Sequence, residues 1–246
     1  MKLTILPGID KSGNPENFDE INLCPGDTVS VVGNTGSGKS NFINDIEVLA
    51  QGDTVSKRRI LIDGQPPPND MVRDPAKKPI AMITQNTRVI ADVAVSEFVS
   101  IHSKARGSEI GVNQVVSLAN KFTGEMISET SKISSLSGGQ TKSLLIADAV
   151  LISNAPILLL DEVENAGIYK DRFIDILRTC NKAVIFVTHN PLLSVITGKR
   201  IIMKNGAVSK IIVSDGTERK AVERLRLIDE YLMKCREFIR SGEVLR

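Results

Sequence analysis

The sequence is poor in cysteine, in net charge and in long apolar runs, and each shortage excludes something. Three cysteines are present, Cys24, Cys180 and Cys235, far apart and with no C-x-x-C pair. That usage argues against a disulfide framework or a cysteine zinc site and suits a reducing compartment. The formal net charge is +2, too little to pull the chain to nucleic acid or to an anionic membrane surface. No apolar run nears the ~18–20 residues needed to cross a bilayer. The N-terminus has no basic stretch followed by an apolar one, so no secretory signal is expected. If the protein serves a membrane, another chain does the spanning.

What is present is an ordinary globular composition, 41% apolar and 24% charged over 246 residues, enough for one large domain or two small ones. The most informative stretch is Gly33 to Ser40, G-N-T-G-S-G-K-S, which fits the phosphate-loop pattern G-x-x-x-x-G-K-[ST]. Thr28 to Val32 before it is β-branched and apolar, as a buried strand is. Phe42, Ile43, Ile46, Leu49 and Ala50 after it recur at helical spacing. Strand, tight loop and helix start are the context the motif requires. Gly36 and Gly38 let the backbone approach a phosphate, and the loop N–H groups with the helix N-terminus face the anion. Lys39 supplies a point charge to the outer phosphates, and the Ser40 hydroxyl suits Mg2+. Gly33, Asn34, Thr35, Ser37 and Asn41 complete the expected nucleotide-binding set. A chance match in such a chain is on the order of 1 in 100, before the flanking pattern is counted.

In chain order, Lys2 to Leu6 reads as a short edge strand, followed by a turn-rich insertion from Pro7 to Pro15. Phe18 to Leu23 alternates weakly and returns to a sheet. Arg59 to Ile62 reads as a strand, Gln65 to Lys78 as an exposed loop and Ile80 to Thr84 as another strand. From Asp92 to Leu136 the apolar period becomes helical, with a break at Arg106-Gly107-Ser108. This predicts a helical subdomain, residues 91–136, inserted in an α/β core of residues 1–90 and 137–215. Ile157 to Leu160 and Ala183 to Thr188 are apolar strands ending at Asp161-Glu162 and at His189. Such parallel strands deliver polar residues where open α/β sheets bind ligands. Asn205-Gly206 marks a hairpin. A closing helix within residues 216–246 carries Ala221, Leu225, Ile228, Leu232, Cys235 and Ile239 on one stripe. The stripe is expected to dock on its own domain, with a partner or dimer seam as the alternative. The mild basic excess of this end reads as a solvated face.

A second motif, Leu136-Ser137-Gly138-Gly139-Gln140, opens a predicted helix, and Ile157-Leu158-Leu159-Leu160-Asp161-Glu162 follows twenty-odd residues later. With the phosphate loop, these residues resemble the ATP-binding cassette (ABC) ATPases over nearly the whole chain. The resemblance implies a P-loop NTPase fold of the ABC type, with an α/β core, an inserted helical subdomain and an N-terminal antiparallel β portion. It implies ATP and Mg2+ as cofactors and ATP hydrolysis as the reaction. By its roles, Asp161 and Ser40 hold Mg2+. Gln85 contacts the metal or the attacking water. Glu162 polarises that water, and His189 stands beside the γ-phosphate. The plainer alternatives are a helix-start acid at Glu162, a helix N-cap at His189 and a surface amide at Gln85. His102, the only other histidine, is assigned nothing. The family also implies a head-to-tail dimer in which Ser137, Gly138, Gly139 and Gln140 of one chain cap the nucleotide held by the other.

The chain departs from the family pattern at several points. Val163 replaces the proline after the aspartate–glutamate pair, and Ile168 stands where an aspartate normally follows. Asp148 occupies a position where many relatives have arginine. No aromatic lies at the spacing used to stack adenine. Phe18 is too near the loop, so the expectation is either weak base stacking or stacking supplied by Ile9 or the Pro7 to Pro15 insertion, with similar affinities for ATP and GTP. The primary functional expectation is a transporter subunit that works with a separate membrane-spanning permease and a second ABC subunit, in the cytoplasm or on the inner face of the membrane. The alternative is a soluble conformational switch on a protein complex. The chromosome-maintenance branch is disfavoured because no room exists for its long coiled coil. A purely non-enzymatic dimerisation module is disfavoured by Glu162 and His189.

Overall fold

The computed structural model describes residues 1–74, 77–163, 170–242 and 244, with the side chains of 170–172, 237 and 240 excepted. Two sheets organise the chain. The first is antiparallel, in order β2-β1-β4, from β1 (Leu3–Leu6), β2 (Ile21–Leu23) and β4 (Arg59–Ile62). The second has six strands in order β5-β6-β7-β3-β8-β9. These are β3 (Thr28–Val32), β5 (Ile80–Ile83), β6 (Ile157–Asp161), β7 (Ala183–Val187), β8 (Lys199–Lys204) and β9 (Ala207–Val213). All its pairings are parallel except the β8–β9 hairpin. The helices are α1 (Lys39–Glu47), α2 (Asn69–Arg73), α3 (Val95–Arg106), α4 (Val112–Phe122), α5 (Gly138–Leu151), α6 (Lys170–Thr179), α7 (Pro191–Ile196) and α8 (Arg219–Arg240).

The near-continuous apolar runs of β6 and β7 have a simple cause, since both faces of the larger sheet are covered. Leu158 and Leu160 with Val184 and Phe186 enter one core, alongside Phe98, Phe122 and Leu144 from the helices. Ile157 and Leu159 with Ala183 and Ile185 enter the other, alongside Val29, Val31, Phe42 and Ile46. Alternation along a strand puts successive side chains into opposite cores. The first core is stiffened by edge-to-face rings, Phe122 on Phe173 at 5.1 Å and Phe173 on Phe186 at 5.9 Å.

Three sequence expectations change. The first strand is central in its sheet rather than at the edge, because β2 and β4 pair with its two sides. A local pattern carries no information about how many neighbours a strand acquires. The Gln65 to Lys78 loop contains the short, exposed helix α2. The stripe of α8 does not dock along its length. Val222 packs against the first core, but Ile228 and Ile239 remain 54% and 60% exposed.

The Pro7 to Pro15 insertion is stitched down. Fully buried Arg58 pairs with Glu16 at 2.7 Å and with Asp45 of α1 at 2.9 Å. It also donates to the Gly206 carbonyl and lies 5.1 Å from the centre of the Phe42 ring. Glu16 in turn accepts from the N–H groups of Gly8 and Val208. One buried cation therefore joins the insertion, α1 and the β8–β9 hairpin. Removing one partner from such a group typically costs about 3–5 kcal/mol.

Candidate functional site

The C-terminal ends of β3, β7 and β6 are neighbours, so the residues that follow them converge. Two backbone bonds carry the strand pairing past the strand ends, Glu162 N–H to the Val187 carbonyl and Thr188 N–H to the Val31 carbonyl. Glu162 has φ +51°, a left-handed conformation uncommon for a side-chain-bearing residue and often found at functional sites. Its Oε1 lies 3.3 Å from His189 Nε2. Asp161 sits beside them. Burial holds its carboxyl above the ordinary value, the Glu162 charge pushes it further up, and Lys39 and His189 oppose the rise. Lys39, Asp161, Glu162 and His189, far apart in sequence, thus share one electrostatic environment.

The loop from Gly33 to Ser40 is shaped for an anion. Lys39 is buried, and its ammonium donates to the Gly33 carbonyl at 2.8 Å and the Asn34 carbonyl at 3.2 Å. Gly38 is the N-cap of α1 with φ +102° and supplies no side-chain cap, so first-turn N–H groups stay available to a ligand. A methyl group on Gly38 would lie 2.7 Å from Gly206 Cα, and one on Gly33 would lie 2.5 Å from the Met203 carbonyl oxygen. The β8–β9 turn thus braces the loop, and Gly206 N–H donates to the Ser37 carbonyl. Ser37 Oγ is buried without a hydrogen-bond partner. Ser40 and Asn41 are exposed at the start of α1. These features fit a bound nucleoside triphosphate.

Gln85 is exposed in the turn after β5, the strand beside β6. Among the described residues no hydrogen bond joins it to Asp161 or Glu162. The N-cap alternative for His189 does not hold, because Asn190 caps α7, its side chain accepting from Leu193 N–H. Ser137 to Gln140 form a separate element at the start of α5. Ser137 accepts from Gln140 N–H, and Gln140 Oε1 accepts from Ser137 N–H. Ser137 Oγ also donates to Glu125 at 2.8 Å, and Gln140 Nε2 donates to the Met126 carbonyl. None of these bonds reaches the phosphate loop.

Val163, which replaces the expected proline, is fully buried in the first core. Ile168 lies outside the described residues. Asp148 pairs with His102 Nδ1 at 3.0 Å. Burial pushes its carboxyl up against the pull of His102 and Arg106. The centre of the Phe98 ring lies 4.1 Å from that of the His102 ring, so His102 is engaged where the sequence suggested nothing. Of the aromatics nearest the loop in sequence, Phe42 of α1 is fully buried and Phe18 packs on the second core. Two residues were missed. Lys11, in the insertion, donates from its ammonium to the Gly36 carbonyl at 2.7 Å. Glu125 holds the signature serine. Neither stands in a recognisable motif, so only a view of the contacts finds them.

Comparison with known proteins gives a consistent picture. The family model described as ABC transporter matches residues 19–165. An uncharacterized ABC transporter ATP-binding protein of Methanocaldococcus jannaschii is 48% identical over 246 residues, covering 99% of this chain and 94% of that protein. The thiamine import ATP-binding protein of Brucella suis is 29% identical over 71% of this chain and 72% of its own length. A dimeric ATP-binding cassette bound to ADP and phosphate in a post-hydrolysis state superposes with TM-score 0.64 and 23% identity. That match covers 86% of this chain and 98% of the other. The ATP-binding subunit of an ABC transporter superposes with TM-score 0.62 and 19% identity, covering 94% of this chain and 98% of that one. Both structural matches support the same α/β fold.

Proposed function

The chain belongs to the ABC transporter family, and from that premise we propose that it binds and hydrolyses Mg-ATP to drive a separate membrane permease. The observation that carries the reading is the cluster of Lys39, Asp161, Glu162 and His189 at adjacent strand ends, with Glu162 and His189 3.3 Å apart. In this reading Gly33 to Asn41 hold the triphosphate, Lys39 exchanging its carbonyl partners for phosphate oxygens. Ser40, Asp161 and Gln85 would hold Mg2+, which when bound would neutralise charge on the phosphate oxygens. Glu162 orients the attacking water and accepts its proton, while His189 donates toward the γ-phosphate. Ser137 to Gln140 act on the nucleotide of a second subunit.

The permease is proposed from the relatives, which include proteins described as thiamine and fructose import ATP-binding proteins. No helix among the described residues is long and apolar enough to cross a membrane. A cytoplasmic location, or a peripheral one on the inner face, follows from the proposed partnership. The missing adenine aromatic and the substituted Val163 and Ile168 favour a second reading, a soluble ATP-gated switch on a protein complex.

The test is an affinity capture with the Glu162→Gln variant, from membrane and soluble fractions, with and without Mg-ATP. The variant is expected to lose about 100- to 1,000-fold in hydrolysis while keeping ATP. Recovery of an integral membrane protein from the membrane fraction supports the transporter. Soluble partners alone, or an isolated ATP-dependent dimer, replace it with the switch. Unchanged hydrolysis removes Glu162 from the mechanism.

A further inference from the structure

We propose that Lys11 is a second cation of the nucleotide site, binding phosphate from beside Gly36, while Lys39 does so from beside Gly33 and Asn34; the proposal rests on the reading of this loop as a nucleotide site. Lys39 and Lys11 touch carbonyls of the same loop. Lys39 is buried and rests on Gly33 and Asn34, whereas Lys11 is exposed and rests on Gly36. The position of Lys11 is built. Its N–H donates to the Asn205 carbonyl at 3.0 Å. Its Cγ lies close against Gly206, where a methyl group would meet it at 2.8 Å. Gly206 in turn contacts both Ser37 and Gly38. Insertion, hairpin and phosphate loop therefore form one stack, and Lys11 cannot move without disturbing the hairpin.

The ammonium at the end of this positioned stem is not neutralised. Among the described residues the Gly36 carbonyl is its acceptor and no carboxylate pairs with it. Lys77 and Lys132, exposed to a similar degree, are paired with Asp70 and Asp92. The neighbouring carboxylate, Asp10, is spent on its own turn, accepting from Ser12 N–H, Asn14 N–H, the Asn14 amide and the Asn205 amide. An ammonium has three donors, so the Gly36 contact leaves capacity for phosphate oxygens. With no aromatic platform for the base beside the loop, charge contact becomes a larger part of the binding. Phosphates are common to all nucleoside triphosphates, so a contact of this kind raises affinity without selecting the base.

The experiment measures Mg-ATP and Mg-GTP binding by calorimetry to wild type, Lys11→Met and Lys11→Arg, at low and high salt, with thermal melts of each apo protein. Met preserves the stem against Gly206 and removes the charge. Lys11→Met is expected to weaken both nucleotides alike, by about tenfold at low salt, with the gap narrowing as salt rises. Lys11→Arg is expected to retain most of the affinity, and the apo melts are expected to coincide. Wild-type affinity in Lys11→Met overturns the proposal, whether or not its melt falls, and assigns Lys11 to structure alone. Loss of one nucleotide only, or an Arg variant no better than Met, also overturns it. Failure of the wild type to bind either nucleotide overturns the nucleotide reading itself.

Discussion

The phosphate loop and the Ser137 to Gln140 segment look alike in sequence, glycine-rich and opening a helix, yet they are built in opposite ways. At α1 the cap is Gly38, left-handed and without a side-chain bond, held from outside by Gly206. At α5 the cap is Ser137, closed by its own capping box with Gln140 and anchored to Glu125. The first keeps its donors open and uses distant parts of the chain to hold its shape. The second satisfies its donors locally and sits exposed. A site that must bind alone is preorganised by tertiary contacts. A surface proposed to meet its ligand only in a dimer is closed here by its own capping box and by Glu125 and Met126.

This contrast is most sharply broken by Gly38→Ala. A side chain there meets Gly206 Cα at 2.7 Å in a left-handed backbone, so a loss of about 2–4 kcal/mol and of nucleotide binding is expected, read by thermal melting and ATP titration. Gly138→Ala is its control, with nothing within 4 Å of the added carbon. It is expected to change stability by less than about 0.5 kcal/mol. Equal losses at both sites erase the distinction.

The next effect concerns Glu125. Ser137→Ala removes a cap and is expected to cost about 1 kcal/mol. Glu125→Gln keeps an acceptor for the serine but removes a negative charge from a surface proposed to meet phosphate. It is expected to increase ATP-dependent dimerisation about two- to fivefold, measured by sedimentation. A dimer constant equal to wild type means the Glu125 charge plays no part there.

The smallest effect is on Asp161. Its carboxyl is raised in the folded chain by burial and by Glu162, so folding favours the protonated form. That contribution is complete below the unfolded value and is lost as pH rises through the folded one. At neutral pH the apo protein therefore bears an ionised Asp161 at a cost, and Asp161→Asn is expected to melt up to about 2 °C higher. The gain should vanish in acid, and Mg-dependent hydrolysis should fall. A neutral-pH melt below wild type reverses the sign assigned to this group.

Much of this was legible because the physics was local. The apolar runs Ile157–Leu160 and Ala183–Val187 announced strands covered on two faces, and Asn205-Gly206 announced the hairpin, with φ of +52° and +85°. Other features were hidden for a common reason. The centrality of β1, the exposure of Ile228 and Ile239, and the engagement of His102 by Asp148 depend on which surfaces meet. Periodicity states that a face is apolar, not whether anything covers it.

By itself the sequence determined the elements and the residues carried at their ends, because strand period, glycine turns and the polar residue that follows each apolar run are properties of neighbours along the chain. Only the tertiary structure decided that Arg58 would tie the insertion to α1, that Gly206 would brace Gly38, and that Lys11 would reach Gly36. Those contacts join residues 42 and 13 positions apart for Arg58, 168 for Gly206 and 25 for Lys11. No local pattern encodes them, because the free energy that selects them comes from the packing of whole elements.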